Sequence, residues 1–124
     1  MGKNYLDDLA IAEEFLEVAE KNLNSSWRTS ANRLYFALEK AVTSYFSFKK
    51  MAFPKSHQKI WELSSKLLGK EYYSLLRTLY DLRMQADYGN ISVFVELNKK
   101  ALEIILYKVK ALFDKIKERM KNEN

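Results

Sequence analysis

Cysteine is absent from this 124-residue chain and histidine occurs once, at His57. These two absences exclude a disulfide framework, a thiol nucleophile and any zinc site built from cysteines or several histidines. Proline also occurs once, at Pro54, and glycine three times, so few residues interrupt a helix. No apolar run approaches the roughly 18 residues that a membrane-spanning helix needs, and the N-terminus shows no charged-then-apolar leader pattern. The expectation is a soluble cytoplasmic protein with no membrane contact. Gly-rich phosphate loops, a Walker pattern, His-Glu-x-x-His and a serine nucleophile with an evident histidine partner are all missing, so most enzyme classes lose their signature. No metal and no cofactor is expected.

The chain is rich in apolar residues, at 48%, and in aromatics, with two Trp, eight Tyr and seven Phe. Its length suits one domain, residues 1–124, with ample material for a packed core. So many rings exceed what a small helical core easily encloses, and some are expected at the interface of a homodimer. The net charge of +5 is unevenly spread: residues 1–24 carry six acids against Lys3 and Lys21, while residues 99–121 carry eight bases against three acids. The two ends should attract each other. The basic end reads as a solvated helix face in preference to a nucleic-acid footprint, because Glu103, Asp114 and Glu118 interrupt it and supply helix pairs.

The apolar period is helical throughout. Tyr5, Leu9, Ala12, Leu16, Ala19 and Leu23 step by four and three along a first helix that ends in the polar turn Asn24-Ser25-Ser26. The pairs Asp7-Asp8 and Glu13-Glu14 are assigned to its solvated face. Trp27, Ala31, Leu34, Leu38, Ala41, Tyr45 and Phe48 mark a second, central helix. After the basic loop around Pro54, Ser56 can cap a short third helix carrying Ile60, Leu63 and Leu67, which Gly69 ends. The fourth, about 70–88, is apolar on more than one face and is expected to be the most enclosed. Ser92 can then cap a long last helix running through Leu97, Ala101, Ile105, Val109, Leu112, Ile116 and Met120. No strand alternation appears. The spacing predicts an all-α fold, an antiparallel up-and-down bundle of four long helices plus one short one.

Arg83 stands out within this pattern. It continues the stripe Tyr72, Leu76, Leu79, and Asp87 follows one turn later. An ionised group on an apolar face needs a partner or a task, so Arg83 is read either as an anion-facing residue steered by Asp87 or as half of a structural ion pair. His57, beside Lys55 and the helix start at Ser56, could contact an anion or simply stand exposed.

Three stretches in register, Ser30-Ala31-Asn32-Arg33-Leu34-Tyr35-Phe36-Ala37, Pro54-Lys55-Ser56-His57 and Leu82-Arg83-Met84-Gln85-Ala86-Asp87-Tyr88, resemble the HEPN family, prokaryotic helical domains often encoded beside a minimal nucleotidyltransferase. The resemblance covers nearly the whole chain. It implies a homodimer whose fourth helices line a shared cleft, a nucleotide or RNA ligand, and a nucleotidyltransferase partner in a two-gene toxin–antitoxin module. The phosphate-binding residues it implies are Arg83, Asp87, Tyr88, Arg33, Tyr35, Lys55 and His57. Many members cleave RNA without metal through an Arg, four to six residues, then His. Here Tyr88, Gly89 or Asn90 stands where that histidine falls. Proton transfer near neutral pH suits imidazole, with a reference pKa of ~6.5, better than phenol at ~10. The reading is therefore a binding protein, with two alternatives: a ribonuclease in which His57 replaces the absent histidine, and a non-catalytic helical adaptor.

Overall fold

The computed structural model describes residues 4–89 and 95–124. Five helices make up the described chain: α1 Tyr5–Lys21, α2 Trp27–Phe48, α3 His57–Leu67, α4 Lys70–Tyr88 and α5 Lys99–Asn122. No strand occurs among the described residues, and none of their helices is long and apolar enough to cross a membrane. Side-chain caps fix where the helices begin. Asn4 accepts from Leu6 N–H, Ser26 from Thr29 N–H and Ser56 from Lys59 N–H, each satisfying a backbone donor that the first turn leaves unpaired.

The last helix starts later than its apolar stripe predicts. Its cap is Asn98, whose Oδ1 accepts from Ala101 N–H at 2.9 Å, so Leu97 precedes the helix; Ser92, the expected cap, lies outside the described residues. Gly69 serves two helices: its N–H bonds back to Ser64 and Ser65 carbonyls behind α3, and it stands at the N-cap of α4 with φ of 133°, a backbone conformation that side chains disfavour.

α2 is the centre of the molecule, with α1, α4 and α5 packed against it and α3 seated on α4. Twelve of its 22 residues are buried, against six of 19 in α4, so α2 rather than α4 is the most enclosed helix. Leu34, Tyr35, Leu38 and Val42 of α2 meet Leu76, Leu79 and Leu82 of α4 and Val109 and Ile116 of α5 in one core. Each such side chain contributes on the order of 1.5–3 kcal/mol through loss of apolar surface to water. The oppositely charged chain ends do meet: Lys110 and Lys117 of α5 pair with Glu20 and Glu13 of α1 at 2.9 and 2.7 Å.

The acidic face of α1 is not wholly solvated. Asp8 has no exposed surface; it lies one turn from Tyr5 and one from Ala12, on the side of α1 that packs on α2, with Lys40 Nζ at 3.3 Å.

Candidate functional site

Four side chains from α2 and α3 assemble around the start of α3. The Ser56 cap places His57 at the first helical position, where its ring faces the middle of α2. His57 Nδ1 lies 2.7 Å from Glu39 Oε2 and 3.0 Å from the Tyr35 hydroxyl. A carboxylate accepts only, so the short contact puts the imidazole proton on Nδ1 and leaves Nε2 as the acceptor. Tyr35 donates its hydroxyl proton to Glu39 and accepts from Trp61 Nε1 at 3.1 Å. Burial, then the Glu39 carboxylate, push the Tyr35 phenol above its ordinary range, so it stays a donor. The imidazole side chain is 43% exposed and can meet a ligand.

Tyr80 of α4 joins this cluster to Arg83. The Tyr80 ring centre is 5.4 Å from that of His57 and 5.6 Å from the Arg83 guanidinium carbon. Phe36 takes the other contact of the guanidinium, at 4.9 Å, an arrangement in which ring quadrupoles hold a cation without consuming its donors. Arg83 Nε is 3.4 Å from Asp87 Oδ2, yet it makes no hydrogen bond. Asp87 Oδ2 instead accepts from Asn32 Nδ2 at 3.1 Å, tying α4 to α2. The i, i+4 ion pair anticipated from the stripe is therefore present, and the guanidinium is held chiefly by two rings.

Of the other residues expected to contact phosphate, Tyr35 is fully buried and acts through Glu39 and His57. Lys55 is exposed in the loop two residues before His57, and Tyr88 is 65% exposed at the end of α4. Arg33 is placed elsewhere, over the Phe15 ring of α1 at 5.2 Å. Sequence reading missed Glu39, Trp61 and Tyr80. Glu39 falls one turn after Tyr35 and Trp61 one turn after His57, and that i, i+4 spacing was the available signal.

No group of three or more His, Asp or Glu among the described residues is arranged to hold a metal ion. What the arrangement offers is a cation flanked by rings, an imidazole with a fixed tautomer and an outward acceptor, and nearby lysine charge. Such a surface suits a phosphate with an adjoining base.

No curated protein matches the chain. A family model described as the HEPN domain matches residues 5–119. That span takes in α1 to α4 and nearly all of α5, and the chain belongs to the HEPN domain family.

Proposed function

We propose that this protein binds a nucleotide or an RNA phosphate at the surface carrying Arg83 and His57, works as a homodimer, and acts with a minimal nucleotidyltransferase partner in a two-gene module of toxin–antitoxin type. One observation carries the binding reading: two side chains 26 residues apart, both able to engage an anion, lie against the same Tyr80 ring. Lys55 adds charge from the preceding loop, and Tyr88 offers a ring to stack on a base. Dimerisation would bring a second copy of this surface into reach. Trp27 and Tyr88 are exposed aromatics, and Arg28 Nη1 donates to Ala86 O at 2.7 Å, so both belong to one end of the molecule.

Binding is tested by fluorescence anisotropy with a labelled single-stranded RNA oligonucleotide and with a mononucleotide competitor. Arg83→Lys and His57→Ala should each weaken binding with the fold intact, and raising salt should weaken the wild type. Affinity indifferent to both substitutions would overturn the reading. Light scattering should give twice the 14.6 kDa chain mass.

A second reading, metal-independent RNA cleavage, is favoured by the 2.7 Å contact that fixes the His57 tautomer. Nε2 would take the 2′-hydroxyl proton as the 2′-oxygen bonds to phosphorus. The 5′-oxygen would leave, taking a proton from the imidazolium, to give a cyclic phosphate. Cleavage unaffected by chelator and lost in His57→Ala would establish it.

A further inference from the structure

On a different stripe of α4 from the Arg83 surface, an apolar trough separates α4 from α5. The two helices run in opposite directions and are pinned at both ends. Tyr72 OH donates to Leu112 O at 3.3 Å at one end; Gln85 Oε1 accepts from Leu97 N at 3.2 Å at the other. Between these ties both lean on α2 rather than on each other, leaving a space of about 720 Å³ that is open to solvent. Leu75, Ala101, Ile105 and Leu112 form much of its floor, and Ile104 and Tyr107 stand at its edge, 49% and 76% exposed. Together with the floor they make a contiguous apolar surface edged by charged side chains, the arrangement that marks an interaction site.

The rim is positive. Glu71 is already matched by Lys115 at 3.5 Å, whereas Lys100 and Lys108, both lining the trough, have no ion-pair partner among the described residues. From Asn98 to Leu112 the lining follows α5 for roughly 20 Å at the helical rise of ~1.5 Å per residue, long enough for about four turns of a third helix. We infer that the α4–α5 trough is the docking site for an amphipathic helix of a partner protein, with apolar residues at i, i+3 and i+7 entering the trough and acidic residues flanking them to meet Lys100 and Lys108. Helix-in-groove recognition reads such anchors from the floor, while the rim charges choose among partners.

The test uses the full chain and a synthetic helical peptide with leucines at i, i+3, i+7 and i+11 flanked by glutamates, beside a copy with lysine flanks. The glutamate peptide should bind and the lysine copy should not. Ile104→Glu, at a half-exposed position, should abolish binding while the thermal melt stays within a degree or two of wild type. Lys100→Glu with Lys108→Glu should reverse the preference between peptides, weakening the glutamate peptide by roughly tenfold or more. Equal binding of both peptides, or binding indifferent to Ile104→Glu, would overturn the inference. So would binding of dodecanoate in place of the peptide, which would make the trough a lipid site. Self-association of the wild type that Ile104→Glu dissolves would assign the trough to a second copy and likewise reject it. None of these results depends on RNA binding at Arg83.

Discussion

The 2.7 Å contact between His57 Nδ1 and Glu39 Oε2 joins the first residue of α3 to the middle of α2, and it decides which imidazole nitrogen faces outward. Glu39 holds two donors at once, the imidazole and the Tyr35 hydroxyl. Replacing it with leucine removes the acceptor from both. The Tyr35 hydroxyl, 3.0 Å from Nδ1, would then turn its proton toward that nitrogen and require it to be unprotonated. We expect nitrogen-15 spectra of neutral His57 to show the Nδ1–H tautomer in the wild type and the Nε2–H tautomer in Glu39→Leu. An unchanged tautomer would mean that Glu39 does not orient the ring.

Glu123 should make the protein acid-sensitive. Arg119 first, then Tyr45 and Lys49, hydrogen-bond its carboxylate and lower its pKa from 4.5 to about 2. A carboxyl with a depressed folded pKa contributes stability that is complete above its unfolded value and lost as pH falls through the folded one. The melting-temperature advantage of wild type over Glu123→Gln should therefore be constant above about pH 5 and shrink from there to about pH 2. A constant difference across that window would reject the cause.

Much of this architecture was legible as periodicity. The stripe from Trp27 to Phe48 gives α2 with its observed bounds, and the run from Lys70 to Tyr88 gives α4 likewise, because apolar spacing records which side of a helix is buried. Spacing does not record how many neighbours a helix has, and so α4, apolar on several faces, looked more enclosed than α2. Asp8 departs from the solvated face expected for it for a related reason. Its chemistry points to solvent, while its position, i+3 from Tyr5 and i−4 from Ala12, points inward, and position prevails. Arg83 and Asp87 were found together because they share a helix. Glu39 is not legible in the sequence, since its significance arises only when α3 brings His57 to it across the fold.

Tyr72 should set a limit on alkaline stability. Burial first, then Glu71, raise its phenol from 10.0 to about 12, and its hydroxyl donates to Leu112 O. With the folded pKa above the unfolded one, the stability it contributes is complete below pH 10 and is lost as pH rises to about 12. Tyr35, shifted in the same direction, adds to the loss. Between these pH values the wild-type melting temperature should fall faster than that of Tyr72→Phe, which has no phenol at this position to titrate. Parallel curves would show that Tyr72 ionises alike in both states.

Asp8 and Lys40 pose a sharper energetic question, since burial and pairing oppose each other. Both Asp8 oxygens are buried and accept no hydrogen bond; the only compensation among the described residues is Lys40 Nζ at 3.3 Å, itself 25% exposed. Removing the lysine alone leaves an uncompensated carboxylate between α1 and α2, a change that costs about 3–5 kcal/mol in comparable buried pairs. Lys40→Met, which keeps the packing of the stem, should destabilise by that order in a denaturant melt. Removing both charges together has the opposite expectation, because the desolvation cost of an ion pair disappears with the pair. Asp8→Leu combined with Lys40→Met should recover wild-type stability or exceed it by about 1–4 kcal/mol. The double variant should therefore be far more stable than the sum of the two single losses allows, a large coupling in a double-mutant cycle. Additive losses would show instead that α1 packs too tightly at Asp8 to accept the leucine, and that the carboxylate occupies this position for its size and not for its charge.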